Sequence, residues 1–346
     1  DGVWEGMRLY DGTWAFMDEH IDRLFEAAKA IDLDIGMDRS GVISAVLETQ
    51  KANTMQTDVH CRLMITRGIK VLPFQHPSLS RSGPTMVIIM EHSKPKLPRP
   101  ITLATVPHVR GLPMTQDPKL NSHSKLNCIL ACIAAQKAGA DEALMLDLHG
   151  FVNTTNACNF FIVKRGAVWT STGDYCMNGI TRQKVIDLCR ANDIPIFERN
   201  YSLVDTYGAD EAFLTGTFGA QTPVSEIDGR PIGTGDMGPV TKRLRTLYKD
   251  LIGADTQAQP AKVNFSDRAW MIDSSQRAAL TDERFRAHIQ QGDWARDEQD
   301  WDRAAEGFAS ALELYPYQRS YWTQLGHMEK EQGEFVRAEI AYRTAA

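Results

Sequence analysis

The stretch that decides the fold is NGITRQKVI, residues 178–186. Within it, Gly179, Ile180 and Thr181 lie where a turn becomes a helix. The first backbone NH groups of a helix have no partner inside the helix, and the helix dipole adds positive charge at the same end. We therefore expect this helix start to bind an anion.

Two other stretches indicate the same anion. In TGTFGAQTPV, residues 215–224, Gly216 ends a strand and permits close approach of the backbone, and Thr217 adds a hydroxyl donor. In HIDRL, residues 20–24, Arg23 supplies a fork-shaped cation. Each signal is weak by itself, because such turns and surface arginines are common. Together with the helix start they predict one anion site.

Composition excludes several classes of protein. The 346 residues correspond to roughly two to three domains. The net charge of −6 provides no electrostatic attraction to nucleic acid or anionic lipid, and no apolar run reaches the roughly 18 residues that span a bilayer. The six cysteines include no C-x-x-C pair, so we expect free thiols in a cytoplasmic protein.

Residues 1–93 are predicted to form a small α+β lobe whose start we expect to be truncated. The apolar faces of two predicted helices are Ile21, Leu24, Phe25, Ala28 and Ile31, then Val42, Ile43, Val46 and Leu47. Residues 59–66 alternate in polarity, which is typical of a half-buried strand, whereas residues 86–90, MVIIM, predict a more buried strand. The prolines of SKPKLPRP, residues 93–100, predict an interdomain linker that we assign to residues 94–107.

Residues 108–252 are predicted to form a larger second lobe, followed by a linker at residues 253–283. The expected elements of this lobe are a helix at 124–138, strands at 143–147 and 159–163, a helix opening at Thr181, a strand ending near Gly216, and a turn at 228–229.

Residues 284–346 contain a repeat with 34-residue spacing. Its first unit contains Gly292, Ala304, Phe308 and Ala311, which are matched by Gly326, Ala338, Tyr342 and Ala345. This pattern resembles tetratricopeptide repeats, in which small residues allow two helices to cross closely and an aromatic residue fills the space beside them. The resemblance implies an all-α tail that binds a protein segment, although a helical tail without a ligand fits the pattern equally well.

Seven strings in the first 252 residues resemble, in this order, the class IV pyridoxal-phosphate aminotransferases. They are DGVWEGMRLY (1–10), EHIDRL (19–24), GADEALMLDLHGFV (139–152), NGITRQKVI (178–186), GADEAFLTGT (208–217), TPVSEIDGRPIG (222–233) and GDMGPVTKRL (235–244). The last third is most similar to branched-chain amino acid aminotransferases. The resemblance implies a two-domain α+β fold of fold-type IV, with pyridoxal 5'-phosphate between the lobes. It also implies a homodimer that moves an amino group between a branched-chain-like amino acid and a 2-oxo acid.

The resemblance also implies the site residues. The cofactor phosphate would be held by Arg23, Ile180, Thr181, Gly216 and Thr217. The substrate end would be formed by Arg62, by Trp4 as an aromatic wall, and by Phe218. No spacing of metal ligands is present.

The lysine that attaches the cofactor is displaced from the family pattern. Counting back from GADEALMLD leads to Asn121 or its neighbour, and a lysine lies on each side of it. Lys125, in SHSKLN, is similar to the K-x-L-N string of D-amino acid transaminases and aminodeoxychorismate lyases, although it is one residue shorter. Lys119, in DPKLN, lies nearer the expected position. We favour Lys125 and keep Lys119 as the alternative.

A second departure concerns the pyridine nitrogen of the cofactor. The family places a glutamate against it, whereas this chain has Thr154, in GFVNTTNACNFF. A carboxylate keeps the ring nitrogen protonated, whereas a hydroxyl can only form a hydrogen bond. Thr154 therefore leaves three possibilities open: a transaminase that pairs the hydroxyl with a neutral nitrogen, a lyase of the aminodeoxychorismate type, or a lapsed homologue that acts through its tail.

Overall fold

The computed structural model describes residues 1–81, 83–93, 99–258, 279, 282–316 and 318–345. The chain divides into two compact units, Asp1–Val263 and Asn264–Ala346. The division falls inside the region predicted as the second linker. Within the described ranges, no helix is both long enough and apolar enough to cross a bilayer.

The first unit opens with a small lobe of four strands and two helices. Its elements are β1 (Gly2–Tyr10), β2 (Thr13–Trp14), α1 (Met17–Ala30), α2 (Arg39–Ala52), β3 (Val59–Thr66), a 3-10 turn (Pro77–Leu79) and β4 (Thr85–His92). The strands form a sheet in the order β2-β1-β3-β4. The apolar faces of both helices pack against one side of this sheet, as their periodicity predicts.

Of the two burial predictions made for strands of this lobe, one is confirmed and one is wrong. In β3, Val59, Cys61, Leu63 and Ile65 are fully buried and alternate with half-buried residues, as predicted. The prediction that residues 86–90 are more buried is wrong, since β4 is an edge strand whose Val87 and Ile89 are 38% and 43% exposed. A run of apolar letters does not distinguish a buried strand from an edge strand that is covered on one face only.

The larger lobe contains nine described strands and five helices. They are β5 (Ile101–Thr105), α3 (Pro113–Gln116), α4 (Leu126–Lys137), β6 (Glu142–Leu146), β7 (Val152–Thr155), β8 (Asn159–Lys164), β9 (Ala167–Thr170), α5 (Ile180–Ala191), β10 (Ile196–Glu198), α6 (Leu203–Tyr207), β11 (Glu211–Gly216), β12 (Ala220–Ile227), β13 (Arg230–Pro231) and α7 (Pro239–Ala258). The hairpin between β12 and β13 turns at Asp228 and Gly229, both with positive φ, as the DG pair predicts.

The sheet of this lobe closes on itself and so brings distant strand ends together. Its order is β10-β9-β8-β11-β12-β5-β6-β7, and β7 also pairs with β8. The closing contact joins Thr154 to Asn159, and Asn159 also pairs with Thr215 of β11. The ends of β7, β8 and β11 therefore meet beside the start of α5.

Two predicted boundaries are corrected. Residues 101–105 were assigned to the interdomain linker, but they form β5, which pairs with β6 and β12 inside the large sheet. Part of the linker prediction, residues 94–98, lies outside the described residues. The large lobe also extends beyond residue 252, because α7 continues to Ala258.

The second unit is a set of helices with its own apolar core. They are α8 (Glu283–Asp297), α9 (Trp301–Leu314), α10 (Arg319–Glu331) and α11 (Phe335–Ala345). A Cβ added to Gly292 would lie 3.0 Å from the Phe308 ring, and one added to Gly326 would lie 2.7 Å from the Tyr342 ring. The same contact between glycine and an aromatic ring thus recurs at the repeat spacing seen in the sequence.

Candidate active site

The start of α5 is an open helix end. Gly179 precedes the helix in an extended conformation, and no side chain caps the first turn. A side chain at Gly179 would collide with Asn159, because an added Cβ would lie 2.3 Å from Oδ1. Asn159 in turn donates from Nδ2 to the carbonyl of Met177 at 2.8 Å, which fixes the turn before the helix. The NH groups of Ile180 and Thr181 therefore remain available to an anion.

The second predicted stretch lies beside this helix start. Thr217 and Thr181 line the same cavity of about 10 Å³, together with Arg8 and His20 of the small lobe. Its volume is about that of one water molecule. The structure thus brings the two threonines together at the junction of the lobes, and Gly216 directly precedes Thr217 at the end of β11.

Arg23 reaches this junction from α1, held by a buried acid that sequence reasoning missed. Its Nε and Nη2 both donate to Glu5 at 2.7 Å, and His20 contacts the same carboxylate at 2.7 Å. Burial alone would raise the pKa of Glu5, but hydrogen bonds from His20 and Arg23 outweigh it and hold that pKa below the ordinary value. The Nη1 of Arg23 is then left with a weak contact, 3.5 Å from the carbonyl of Asn178 in the turn before α5.

The two candidate lysines lie in different environments. Lys125 immediately precedes α4, and its Nζ lies 5.8 Å from the centre of the Trp4 ring. Burial lowers the pKa of this amine, and the nearby guanidinium groups of Arg110 and Arg23 lower it further. Lys119 is exposed, and its backbone NH donates to the carboxylate of Asp117 at 2.9 Å. The structure therefore brings Lys125, and not Lys119, to the side of Arg23.

Asn121, to which counting led, is buried at the same place. Its Nδ2 donates to the carbonyl of Trp4 at 2.6 Å, and its own carbonyl accepts from the Trp4 NH at 3.1 Å. Its Oδ1 is buried and has no hydrogen-bond partner among the described residues. Asn121 thus anchors the loop before α4 to β1, four residues ahead of Lys125.

Thr154 lies in the closing contact of the sheet. It is 5% exposed, and its hydroxyl donates to the carbonyl of Cys158 at 2.6 Å. The thiol of Cys158 extends toward Gly216, where an added Cβ would lie 3.3 Å from Sγ. Because the hydroxyl hydrogen of Thr154 is already engaged, the oxygen can offer a lone pair to a further group.

The residues expected at the substrate end of the site are cationic and aromatic. The Arg62 guanidinium lies 4.0 Å from the centre of the Trp4 ring, a stacked cation–π contact. His60, which the sequence did not single out, packs against Phe218, with ring centres 3.7 Å apart and ring planes tilted by 50°. Burial, together with the charges of Arg8 and Arg62, lowers the pKa of His60 to about 4, so its ring is neutral at pH 7.

The candidate site thus comprises an uncapped helix start, a half-buried amine and a cationic, aromatic group of residues, which we refer to together as the candidate crevice. The sequence profile described as "Amino-transferase class IV" matches residues 2–227. The chain belongs to the class IV aminotransferase family. The expected resemblance to this family is therefore confirmed, and the match covers the first five of the seven strings and part of the sixth.

Two curated relatives each match this chain over 253 residues. The "Putative branched-chain-amino-acid aminotransferase" of Methanocaldococcus jannaschii is 40% identical over 253 residues, covering 72% of this chain and 87% of the relative. Branched-chain-amino-acid aminotransferase-like protein 2 of Arabidopsis thaliana is 41% identical, also over 72% of this chain, but this covers only 45% of the relative. The chain thus spans about half the length of that Arabidopsis relative.

A solved class IV structure shows the same fold. A branched-chain amino acid aminotransferase from T.th., crystallised with pyridoxamine 5'-phosphate, superposes with a TM-score of 0.68 at 29% identity, covering 75% of this chain and 86% of that one. The crevice of the present chain fits such a cofactor at two points. The uncapped start of α5 and the partly free guanidinium of Arg23 suit a phosphate, and the half-buried amine of Lys125 suits an aldehyde.

The fit is weaker at the ring nitrogen, where this class IV chain has Thr154 rather than a carboxylate. Because the Thr154 hydroxyl donates to the Cys158 carbonyl, its oxygen can accept from a protonated ring nitrogen but cannot donate to a neutral one, so the expected pairing with a neutral nitrogen is not available in this arrangement. Sequence reasoning also missed Glu5 and His60. Glu5 could have been found from the alternation of β1, which places it between Val3 and Met7 on the face toward α1. His60 gives no such signal, because a histidine in an alternating strand is compatible with any polar face.

Proposed function

We propose that the chain is a pyridoxal-phosphate-dependent aminotransferase that moves an amino group between a branched-chain-like amino acid and a 2-oxo acid. The observation that carries the proposal is the position of Lys125. Its amine is half-buried with a lowered pKa and interacts electrostatically with Arg23, whose Nη1 lies 3.5 Å from the carbonyl of Asn178 in the turn before α5. A lowered pKa leaves a larger fraction of the amine unprotonated, and therefore nucleophilic, than in an exposed lysine.

Different residues of the candidate crevice would bind the cofactor phosphate and carry out proton transfer. When bound, the cofactor supplies an aldehyde carbon for the amino group and a ring that spreads negative charge. Arg23, Ile180, Thr181, Gly216 and Thr217 hold its phosphate. Lys125 provides the amine that attaches it and then moves a proton at Nζ, since the lowered pKa makes the free amine available as a base.

The substrate end supports an amino acid with a carboxylate and an apolar side chain. Arg62, stacked on Trp4, carries a guanidinium for a carboxylate. Trp4 and Phe218 provide aromatic surface for an aliphatic side chain, and Phe218 is 53% exposed at the mouth of the crevice. The similarity of this chain to relatives named as branched-chain aminotransferases supports this choice of substrate.

The test removes each lysine in turn. The purified chain loaded with pyridoxal 5'-phosphate should absorb in the visible range, and borohydride reduction followed by peptide mass spectrometry should find the label on Lys125. Lys125→Ala should lose the visible band and the label, while Lys119→Ala should keep both. A band that survives in Lys125→Ala but not in Lys119→Ala would assign the amine to Lys119, and a wild-type chain without any band would end the proposal.

A second candidate function rests on Thr154 and Asn121. A hydroxyl at the ring nitrogen makes the cofactor a weaker electron sink, and the family position of the lysine lies at or beside a buried carboxamide. These features favour either a lyase of the aminodeoxychorismate type or a homologue that has lost catalysis and acts through its tail. A panel of amino donors with a keto-acid acceptor separates the three: transfer supports the aminotransferase, keto acid release without an acceptor supports the lyase, and neither supports the lapsed homologue.

We also infer that the chain is a homodimer. The supporting observation is an apolar face of α4 that nothing in the described chain covers, with Leu126, Ile129, Leu130 and Ile133 between 41% and 67% exposed. Exposed apolar patches of this kind mark interaction surfaces. Light scattering should give twice the mass of one chain, and Ile129→Glu should give a single chain.

For the tail we propose a pair of tetratricopeptide-like repeats that bind a protein segment. The recurring contacts of Gly292 with Phe308 and of Gly326 with Tyr342 support this. We further propose a cytoplasmic location, which the six free cysteines support. Pull-down with the full chain and with Gly326→Trp, which would spoil the helix crossing, tests the tail.

A further inference from the structure

One turn of the small lobe is held by a residue near the end of α7. Phe16, the residue before α1, is 4% exposed and has a φ of 54°, in the left-handed region. A bulky side chain adopts this conformation only where its surroundings impose it, and such strain occurs often at functional sites. The NH of Phe16 donates to Oδ2 of Asp255 at 2.9 Å. The strained turn is therefore fixed by a contact between the two lobes of the first unit.

The Phe16 side chain lies between two helices of the large lobe. On the α5 side, the Lys184 Nζ lies 4.8 Å from the centre of the Phe16 ring, and Lys184 also pairs with Glu19 of α1 at 2.6 Å. On the α7 side, the ring centres of Phe16 and Tyr248 are 6.1 Å apart, with the ring planes tilted by 49°. Ile180 packs against the same apolar cluster. Phe16 thus joins Tyr248 to the first turns of α5.

Tyr248 extends from this contact to the predicted anion site. It is 6% exposed, and its hydroxyl lies 3.4 Å from Oγ1 of Thr181, the second residue of α5. Both residues line the water-sized cavity that Thr217 also lines. Burial raises the pKa of Tyr248, so the phenol keeps its hydrogen at neutral pH. The helix α7 thus places a buried hydroxyl donor beside Thr181.

A bound anion fixes the direction of the hydrogen bond between these two hydroxyls. Without an anion, either hydroxyl can be the donor. The oxygens of a phosphate dianion only accept hydrogen bonds, so the Thr181 hydroxyl donates its one hydrogen to them and keeps its lone pairs. Tyr248 is then the donor to Thr181, and hydrogen bonds in such a chain strengthen one another. Because 3.4 Å is long for two hydroxyls, we expect the contact to orient Thr181 and to contribute modestly to affinity.

We propose that Tyr248 is a positioning residue, which donates to Thr181 and so orients the Thr181 hydroxyl toward the phosphate of the cofactor. The inference rests on the proposed function, because it takes pyridoxal 5'-phosphate as the anion at the start of α5. It goes beyond that function, because the family profile matches residues 2–227 and α7 begins at Pro239. Affinity for the phosphate therefore depends on a helix outside the matched residues.

The experiment compares two probes that differ only in the phosphate, pyridoxal 5'-phosphate and pyridoxal. Fluorescence titration of the full chain with each gives two dissociation constants, whose ratio isolates the phosphate, because a general loss of structure weakens both. Tyr248→Phe should raise the constant for pyridoxal 5'-phosphate about 2- to 12-fold, as for one neutral hydrogen bond, and leave that for pyridoxal unchanged. Tyr201→Phe is the matched control, because this tyrosine is 2% exposed and its buried hydroxyl has no partner among the described residues.

A double-mutant cycle shows whether Tyr248 acts through Thr181. Thr181→Val removes the hydroxyl that Tyr248 orients and should itself raise the dissociation constant for pyridoxal 5'-phosphate. Adding Tyr248→Phe to Thr181→Val should then cause little further change, because the group to be oriented is already absent. If the two hydroxyls acted independently, their fold-changes would multiply. Circular dichroism of each variant checks that the fold is intact.

Four results would overturn the inference: an unchanged ratio in folded Tyr248→Phe, an equal change in Tyr201→Phe, fold-changes that multiply in the cycle, or a wild-type chain that binds both probes equally. The last result would also remove the anion site. Failure of the proposed function at the amine would appear separately, as a visible band that survives in Lys125→Ala, and would leave the ratio of the two constants as it is.

Discussion

The anion end and the amine end of the crevice are neighbours, but they are built in different ways. At the proposed anion end, we expect the binding groups to be backbone NH groups at the start of α5 and the guanidinium of Arg23, which Glu5 holds from within the small lobe. At the proposed amine end, we expect a single side chain, Lys125, to provide the reactive group, and Asn121 lies buried at the position to which the family spacing led.

The difference shows which parts of a site the fold itself preserves. A helix start presents NH groups whatever side chains it carries, so the anion end persists wherever the strands and helix persist. A reactive amine depends on one side chain, which can move by a few residues along the chain if its new position still lies in the candidate site.

The largest expected effect comes from breaking the acid that organises the anion end. Glu5→Gln removes a fully buried carboxylate and leaves Arg23 and His20 without their shared partner. We expect it to lower the free energy of unfolding by about 3–5 kcal/mol, as for other broken buried ion pairs. Asp18→Asn is the matched control, because its pair with Arg39 is exposed and should contribute at most about 1 kcal/mol. Urea denaturation of both variants measures the difference.

The same acid predicts a dependence of stability on pH. The pKa of Glu5 in the folded chain lies below its ordinary value of 4.5. Its stabilising contribution is therefore complete above pH 4.5 and is lost as the pH falls through the folded pKa. The Glu5→Gln chain should lack this part of the acid-induced loss, and equal acid slopes for wild type and variant would contradict the assignment.

The next effect is on cofactor affinity at the same end. Arg23→Gln removes the cation aimed at the start of α5, and we expect the dissociation constant for pyridoxal 5'-phosphate to rise about 10- to 150-fold, which corresponds to about 1.5–3 kcal/mol for a charge-assisted hydrogen bond. Arg39→Gln, which breaks exposed ion pairs with acids of α1, is the control. Fluorescence titration gives both constants, and equal values would remove Arg23 from the site.

Much of the anion end could be predicted from sequence, and the reason is physical. Gly179 and Thr181 mark a helix start by local chemistry alone, and the alternation of β3 fixes which face is buried. The position of Lys125 relative to Asn121 could not be predicted, because it depends on how the loop before α4 pairs with β1 across 118 residues of sequence. Likewise, the edge position of β4 is set by strand order, on which local polarity has no bearing.

A smaller effect is expected from restoring the family acid at the ring nitrogen. Thr154→Glu would place a carboxylate in the closing contact of the sheet, keep the ring nitrogen protonated and strengthen the electron sink. If the chain is a transaminase, the transfer rate should rise on the order of tenfold, equivalent to about 1.4 kcal/mol of barrier. Thr155→Ser, which keeps the hydroxyl that accepts from the Cys158 NH at 2.8 Å, is the control. A rate that does not change would count against the transaminase hypothesis.

The smallest expected effect is on cofactor affinity, and it distinguishes binding by the Thr217 hydroxyl from binding by backbone NH groups at the anion end. Thr217→Val removes one hydroxyl from the cavity shared with Thr181 and keeps nearly the same shape. A neutral hydrogen bond contributes about 0.5–1.5 kcal/mol, so the dissociation constant for the cofactor should rise only about 2- to 12-fold. Thr246→Val, on the exposed side of α7, is the control. If Thr217→Val instead abolished binding, the hydroxyls rather than the backbone NH groups would be the main phosphate ligands, and the anion end would depend on single side chains as the amine end does.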